Sequence, residues 1–192
     1  MLNKEDGMNG RIEIIVGPMF CGKSEELIRR LRRTMVAKLP MKAFKPDIDK
    51  RYDNGDKITS HSQYQVSAIP VPVDDPNAIL DFLDEDTQVV GIDEVQFFPP
   101  EIIGLCRNLA KKGIRVILSG LDMDYRGEPF GSIPILLAIA ERVDKLTSIC
   151  TVCGADATRT QKLTASEGVV IVDVGQDDKY TARCVKHHSI LK

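Results

Sequence analysis

The stretch Gly17-Pro-Met-Phe-Cys-Gly-Lys23-Ser24 has the spacing G-x4-G-K-S, which suits it to hold a polyphosphate. Triphosphate oxygens must be met by several backbone N–H groups at once, and only a tight, glycine-permitted loop presents them. The N-terminus of a following helix adds its dipole. In that arrangement Lys23 bridges the outer phosphates and the Ser24 hydroxyl ligates Mg²⁺. Pro18, Met19, Phe20, Cys21 and Gly22 supply the backbone cradle between Gly17 and Lys23. The field of such a loop acts to depress the Cys21 thiol, although packing is the simpler role for it.

A second group of chemically competent residues is Val89-Val-Gly-Ile-Asp93-Glu94, an apolar run ending in two carboxylates. Asp93 is placed to reach the Mg²⁺ shell, which leaves Glu94 to accept a proton from whatever attacks the γ-phosphate. The acceptor is not specified by these residues. A guanine-reading N-K-x-D would have to follow the phosphate loop, and the one match, Asn3-Lys4-Glu5-Asp6, precedes it.

The third group is Cys150-x2-Cys153 followed, after thirty intervening residues, by Cys184-x2-His187. Three thiols and an imidazole in two tight pairs have the stoichiometry of a closed, structural Cys₃His zinc site. His188 competes with His187 as the fourth ligand, and spacing does not separate them. A full ligand set leaves no open position for catalysis, so the metal is read as a staple for a unit too small to support itself. Cys106 lies beside Leu105 on an apolar helix face and reads as core.

These groups need elements to hold them. Arg11–Val16 reads as a strand and Ser24–Leu39 as a helix with Leu27, Ile28, Leu31 and Met35 on one face and Arg29, Arg30, Arg32 and Arg33 on the other. Met41–Pro46 reads as a strand, Asp75–Leu83 as a short helix, and Gln88–Ile92 as a strand buried on both faces. Pro100–Lys112 follows as a helix stopped by Gly113, then Arg115–Ser119 as a strand and Pro134–Val143 as a helix. This alternation predicts an α/β fold with a mostly parallel sheet and helices on both its faces. The polar stretch Asp53–Gln65, which contains His61, is expected to be a mobile surface segment. After about Ser148 the pattern changes to Cys and His pairs and the β-branched run Val169–Val174. The expected division is a nucleotide-binding core over residues 1–148 and a smaller zinc-binding unit over 149–192.

At 192 residues the chain has room for one core and a small appendage. Its 26 Lys+Arg against 28 Asp+Glu give a net charge of −2, so no global positive field is available to hold nucleic acid or an anionic membrane. The start MLNKEDGMNGR lacks the apolar centre of a signal peptide, and no run is long enough to span a bilayer, so a cytoplasmic location is expected. An odd cysteine count in a reducing compartment favours metal binding over disulfides.

Six ordered signatures, GPMFCGKS at 17–24, FKPDIDKRY at 44–52, DEVQFF at 93–98, GLDMDYRGEPFG at 120–131, ATRTQK at 157–162 and DKYTARCVKH at 178–187, resemble those of the type II thymidine kinases, the cytosolic zinc-containing family. The resemblance spans nearly the whole chain. It implies a P-loop, RecA-like core with a zinc-anchored lasso over the nucleoside, and transfer of the γ-phosphate of ATP to the 5′-hydroxyl of thymidine or deoxyuridine. Glu94 would be the base, with Lys23 and Arg51 on the phosphates. Ser24, Asp49 and Asp93 would lie around Mg²⁺, and the ATP-binding stretch would extend from Asp93 and Glu94 through Val95 and Gln96. Phe97, Tyr125 and Phe130 match aromatics around the nucleoside, Thr160 a residue close to the thymine ring, and Tyr180 one close to the nucleoside. The lasso corresponds to about Val169–Tyr180 and would reach the pyrimidine with main-chain groups near Val172, Val174 and Gly175. There the family's Ile-Gly-Gly is Val174-Gly175-Gln176, and its Cys-Arg is Cys184-Val185. A homotetramer and feedback inhibition by dTTP are further implications.

A rival reading is an ATPase that grips nucleic acid with a zinc ribbon. It requires a basic segment between Cys150 and Cys184. Lys162, Lys179, Arg159 and Arg183 stand there against Asp156, Glu167, Asp173, Asp177 and Asp178, which speaks against it.

Overall fold

A computed structural model describes residues 10–48, 57–59, 65–163 and 179–190. In chain order its elements are β1 (Arg11–Val16), α1 (Lys23–Val36), β2 (Met41–Asp47), β3 (Lys57–Thr59), β4 (Gln65–Ser67), β5 (Ile69–Pro72), β6 (Val89–Ile92), α2 (Glu101–Lys111), β7 (Arg115–Gly120), α3 (Ile133–Ile139), β8 (Arg142–Lys145), β9 (Ser148–Ile149), β10 (Asp156–Ala157), β11 (Arg159–Lys162) and β12 (Tyr180–Arg183). Six strands form one sheet in the order β5-β2-β6-β7-β1-β8, and every pairing in it is parallel. No helix among the described residues is long and apolar enough to cross a membrane.

Side-chain alternation along the central strands explains why both faces of this sheet are covered. Ile12, Ile14 and Val16 of β1 and Val116 and Leu118 of β7 join Ile102, Leu105 and Leu109 of α2 and Ile133 and Leu136 of α3 in one core. Ile15 and Ile117, pointing the opposite way, pack with Leu27, Ile28 and Leu31 of α1 and with Ile58 and Val66 of the β3–β4 hairpin. Burying those three α1 side chains stabilises by roughly 5–9 kcal/mol relative to leaving them in water, an upper bound because the unfolded chain already hides some surface.

The same alternation places Glu13 on the α1 face of β1, fully buried, and this corrects the expectation that Arg30 stands with Arg29, Arg32 and Arg33 on the face away from the core. Arg30 is only 4% exposed. Its guanidinium donates to Glu13 at 3.0 Å, Glu26 at 2.8 Å and Asp144 at 2.7 Å. Arg11 and Arg115 also donate to Glu13. Burial alone would raise the Glu13 carboxyl, but the hydrogen bonds from Arg115 and Arg11 outweigh it and lower it to about 2. Met35, expected on the core face of α1, is instead 57% exposed. It lies in the last turn of α1.

Two element boundaries also differ from the sequence reading. The helix expected over Pro134–Val143 stops at Ile139, where Ala140 turns to an extended conformation, and Arg142–Lys145 becomes the edge strand β8 beside β1. A charged four-residue edge strand carries no apolar run to announce it. The segment expected as a helix from Asp75 is a 3₁₀ turn over Pro76–Phe82, capped by the Asp75 side chain on the Asn77 N–H. Of the polar stretch Asp53–Gln65, Lys57–Thr59 pair with β4 and bury Ile58 beneath α1. Asp49, Arg51, His61, Val172, Val174, Gly175 and the β-branched run Val169–Val174 lie outside the described residues.

Candidate functional site

Because all six strands are parallel, their carboxyl ends open onto one edge, where ligands of such sheets are bound. Register puts Val16 beside Gly120 and Leu118 beside Ile92. The loop after β1 and the carboxylates after β6 therefore emerge at the same edge, with β7 between them.

Gly17 takes φ +149, and a Cβ there would stand 2.5 Å from the Leu146 carbonyl oxygen and 2.8 Å from Cys21 Sγ. Gly22 takes φ +83 as it caps α1, with no side chain on the first N–H groups. Those N–H groups and the helix dipole are thus left facing the loop. Lys23 is buried, and its Nζ donates to the Pro18 carbonyl at 2.7 Å and lies 3.9 Å from Cys21 Sγ. The cation is held inside the cradle that Gly17–Gly22 forms. Burial pushes the Cys21 thiol up despite the neighbouring Lys23 charge, so the loop does not activate it as its field alone suggested.

Asp93 is buried at the end of β6, tied to β2 by its N–H on the Phe44 carbonyl at 2.9 Å. Its Oδ1 accepts the Ser119 hydroxyl and, at 3.0 Å, the Glu94 N–H. Glu94 has φ 49 and ψ 39, a left-handed conformation that is costly for a non-glycine residue and recurs at functional sites. Its Oε2 accepts the Gln96 amide at 2.5 Å, while Gln96 Oε1 accepts the Leu121 N–H at 3.1 Å. Burial and the adjacent Asp93 charge push the Glu94 carboxyl up, and Lys23 and Gln96 only partly oppose them. A carboxylate whose pKa is raised in this way is a stronger base at neutral pH than an ordinary glutamate.

The aromatic residues assigned to the nucleoside fall into two groups. Phe97 and Phe130 meet edge to face, with ring centroids 5.6 Å apart. Tyr125 carries the Lys162 ammonium 5.2 Å above its ring, and its carbonyl accepts a hydrogen bond from His188 Nε2 at 2.9 Å. Tyr180 is buried and pairs with Lys162 across β11 and β12. Thr160 is buried, and its hydroxyl accepts the Met19 N–H of the phosphate loop at 3.0 Å.

Cys150, Cys153, Cys184 and His187 converge, with their donor atoms all within 4.8 Å of one another. Tetrahedral zinc with Zn–S near 2.3 Å and Zn–N near 2.0 Å requires S···S of about 3.8 Å and S···N of about 3.5 Å. Cys153 Sγ lies 3.9 Å from Cys184 Sγ, and His187 Nδ1 lies 3.7 Å from Cys150 Sγ and 3.3 Å from Cys184 Sγ. The donors fit zinc in both type and spacing, and the sulfurs are too far apart for a disulfide. Burial works against it, but backbone N–H groups of Cys184, Val152 and Cys153 and the His187 ring lower the Cys150 thiol to about 5. His188, the competing ligand, is engaged with Tyr125 instead.

The structure thus brings Lys23, Asp93 and Glu94 to one edge and closes the four candidate metal ligands on one another. Cys106 is core, its thiol pushed up by burial to about 12. Sequence reasoning missed Ser119, Ser148 and the contact of His188. Each acts on a residue from a different segment, so no local pattern marks it. A family model described as thymidine kinase matches residues 10–188. The chain is similar to the thymidine kinase of Deinococcus radiodurans, 48% identical over 185 residues that cover 90% of this chain and 87% of the relative. It is equally similar to that of Deinococcus deserti, 48% identical over 195 residues covering 95% and 96%. Among solved structures, the Pif1 helicase of Candida albicans aligns at 14% identity and a TM-score of 0.44 over 73% of this chain and 37% of that one, too slight a likeness to bear on function.

Proposed function

The chain belongs to the thymidine kinase family, and we propose that it uses ATP as donor, with the 5′-hydroxyl of thymidine or deoxyuridine as acceptor and Glu94 as the base. The observation that carries this reading is the placement of Glu94. It is a carboxylate with a raised pKa, fixed by Gln96 and within the field of Lys23.

In this scheme the phosphates displace the Pro18 carbonyl as the partner of the Lys23 ammonium, and the loop N–H groups take the remaining oxygens. Ser24 and Asp93, with Asp49, would hold Mg²⁺, which would offset the negative charge of the donor phosphates. Glu94 removes the proton from the 5′-hydroxyl as that oxygen bonds to the γ-phosphorus. The bond from the γ-phosphorus to its bridging oxygen breaks, and the electron pair leaves with ADP. Arg51 offsets charge on the transferring group. Phe97, Phe130, Tyr125, Thr160 and Tyr180 surround the nucleoside, and main-chain groups near Val172, Val174 and Gly175 reach its base.

The reading includes a core over 1–148 and a lasso unit over 149–192 whose zinc is structural. Fixing both ends of the lasso lowers the entropy cost of closing it. A cytoplasmic homotetramer inhibited by dTTP belongs to the same proposal. The nucleic-acid-dependent ATPase reading is not favoured, because the family acts on a small nucleoside. The test is to incubate the protein with Mg-ATP and each nucleoside in turn and to separate the monophosphates. Thymidine and deoxyuridine are expected to be phosphorylated, and ATP consumption without a nucleoside product would contradict the proposal.

A further inference from the structure

The tip of the phosphate loop is fastened at three points to the strands β9 to β12 that surround the candidate metal site. The Met19 N–H donates to Thr160 Oγ1 of β11 at 3.0 Å. The Phe20 carbonyl accepts the Ser148 hydroxyl of β9 at 3.1 Å. The Phe20 side chain packs on a small cluster of Cys150, Ala157 and Ala182 that also includes Cys184. Two of those residues, Cys150 and Cys184, are metal ligands in the arrangement above.

Phe20 itself has φ 65. A bulky side chain in the left-handed region is a genuine outlier and persists only where its surroundings over-determine it. Contacts on Phe20 come from Ser148 of β9 and from the cluster of Cys150, Ala157 of β10 and Ala182 of β12. Without a metal, nothing ties Cys150 and Cys184 to Cys153 and His187 at a shared centre. The cluster on which Phe20 rests then loses two of its walls.

We propose that the Cys₃His site positions the phosphate loop as well as the nucleoside side of the enzyme, with Thr160, Ser148 and Phe20 as the positioning residues that carry the coupling. This rests on the reading of Gly17–Ser24 as the donor-phosphate cradle. Its consequence is that metal loading raises the affinity for the phosphate donor even when no nucleoside is present. A metal that served only the lasso would leave donor affinity unchanged. Thr160 is then shared between the two substrates, with its hydroxyl oxygen committed to Met19 and its methyl group left for the acceptor side.

The test is calorimetric titration of Mg-ATP, without nucleoside, into the zinc-loaded chain, the chelator-stripped chain, and zinc-loaded Thr160→Val, Thr160→Ser and Ser148→Ala. Amide exchange at Met19 and along β1 and β7 is followed in each. Stripping is expected to weaken ATP binding about tenfold or more and to speed Met19 exchange, while β1 and β7 keep their protection. Thr160→Val is expected to weaken binding about three- to tenfold, Thr160→Ser to restore it, and Ser148→Ala to fall between. Equal ATP affinity in the loaded and stripped chains, with Met19 exchange unchanged, would overturn the coupling. Loss of protection throughout β1 and β7 on stripping would also overturn it, because the metal would then hold the whole fold. Failure of the loaded wild-type chain to bind ATP at all would instead remove the phosphate-cradle reading, and the coupling with it.

Discussion

The Gln96 side-chain amide donates to Glu94 Oε2 at 2.5 Å while its own oxygen accepts the Leu121 N–H, so one buried amide ties the strand-end carboxylate of β6 to the exit of β7. Gln96 acts through Glu94 and opposes the rise of its pKa. Replacing Gln96 by Leu removes that opposition and leaves the Leu121 N–H unpaired. The acid limb of the pH–rate profile should move to higher pH, turnover at neutral pH should fall about tenfold, and stability should drop by about 1–3 kcal/mol. An unmoved acid limb, measured alongside the melting temperature, would show that Gln96 only packs.

As the proposed base, Glu94 works when deprotonated, and burial with Asp93 raises its pKa above the ordinary 4.5. Turnover should therefore be lost, as pH falls, at a pH higher than a solvated glutamate would give. Mg-ATP affinity should change little over the same interval. Parallel profiles of kcat and of ATP binding check this.

Glu13 predicts a separate acid sensitivity, of stability rather than rate. Its folded-state pKa is lowered to about 2, so its contribution is full above the unfolded value near 4.5 and is lost as pH falls through about 2. Glu13→Gln leaves Arg30 and Arg115 facing a neutral partner inside the protein, and it should destabilise by about 3–5 kcal/mol. Urea unfolding of both proteins at pH 7 and at pH 3 reads this out, and the difference between them should shrink at the lower pH.

The two adjacent histidines should separate cleanly. His187→Ala should lower the zinc bound per chain, because its Nδ1 lies among the three sulfurs. His188→Ala should keep the zinc and raise the thymidine KM several-fold at little cost to the ATP KM, because it releases the Tyr125 carbonyl. Zinc analysis with the two KM values distinguishes this from the opposite ligand assignment.

The parts of the site that were legible in the sequence are those whose partners lie close along the chain. The phosphate loop spans eight residues, the Asp93-Glu94 pair is contiguous, and each half of the Cys/His set fits within four. The sheet was legible because β1, β6 and β7 are apolar enough to require cover on both faces. Arg30 was misread because its partner Glu13 lies 17 positions away, on a strand whose alternation had to be matched to the face of α1. The Met19–Thr160 link joins residues 141 apart and follows no periodicity at all. Edge strand β8 was missed because its charged residues suit an edge and resemble a helix end.

The central claim is that the carboxylate of Glu94 takes the acceptor's proton. The most direct measurement is thymidine phosphorylation by Glu94→Gln set beside its Mg-ATP affinity. The amide keeps the shape and cannot accept the proton, so turnover should fall by about 10²–10⁴-fold while the Kd for ATP stays within about threefold. Turnover within a few-fold of wild type would contradict the assignment.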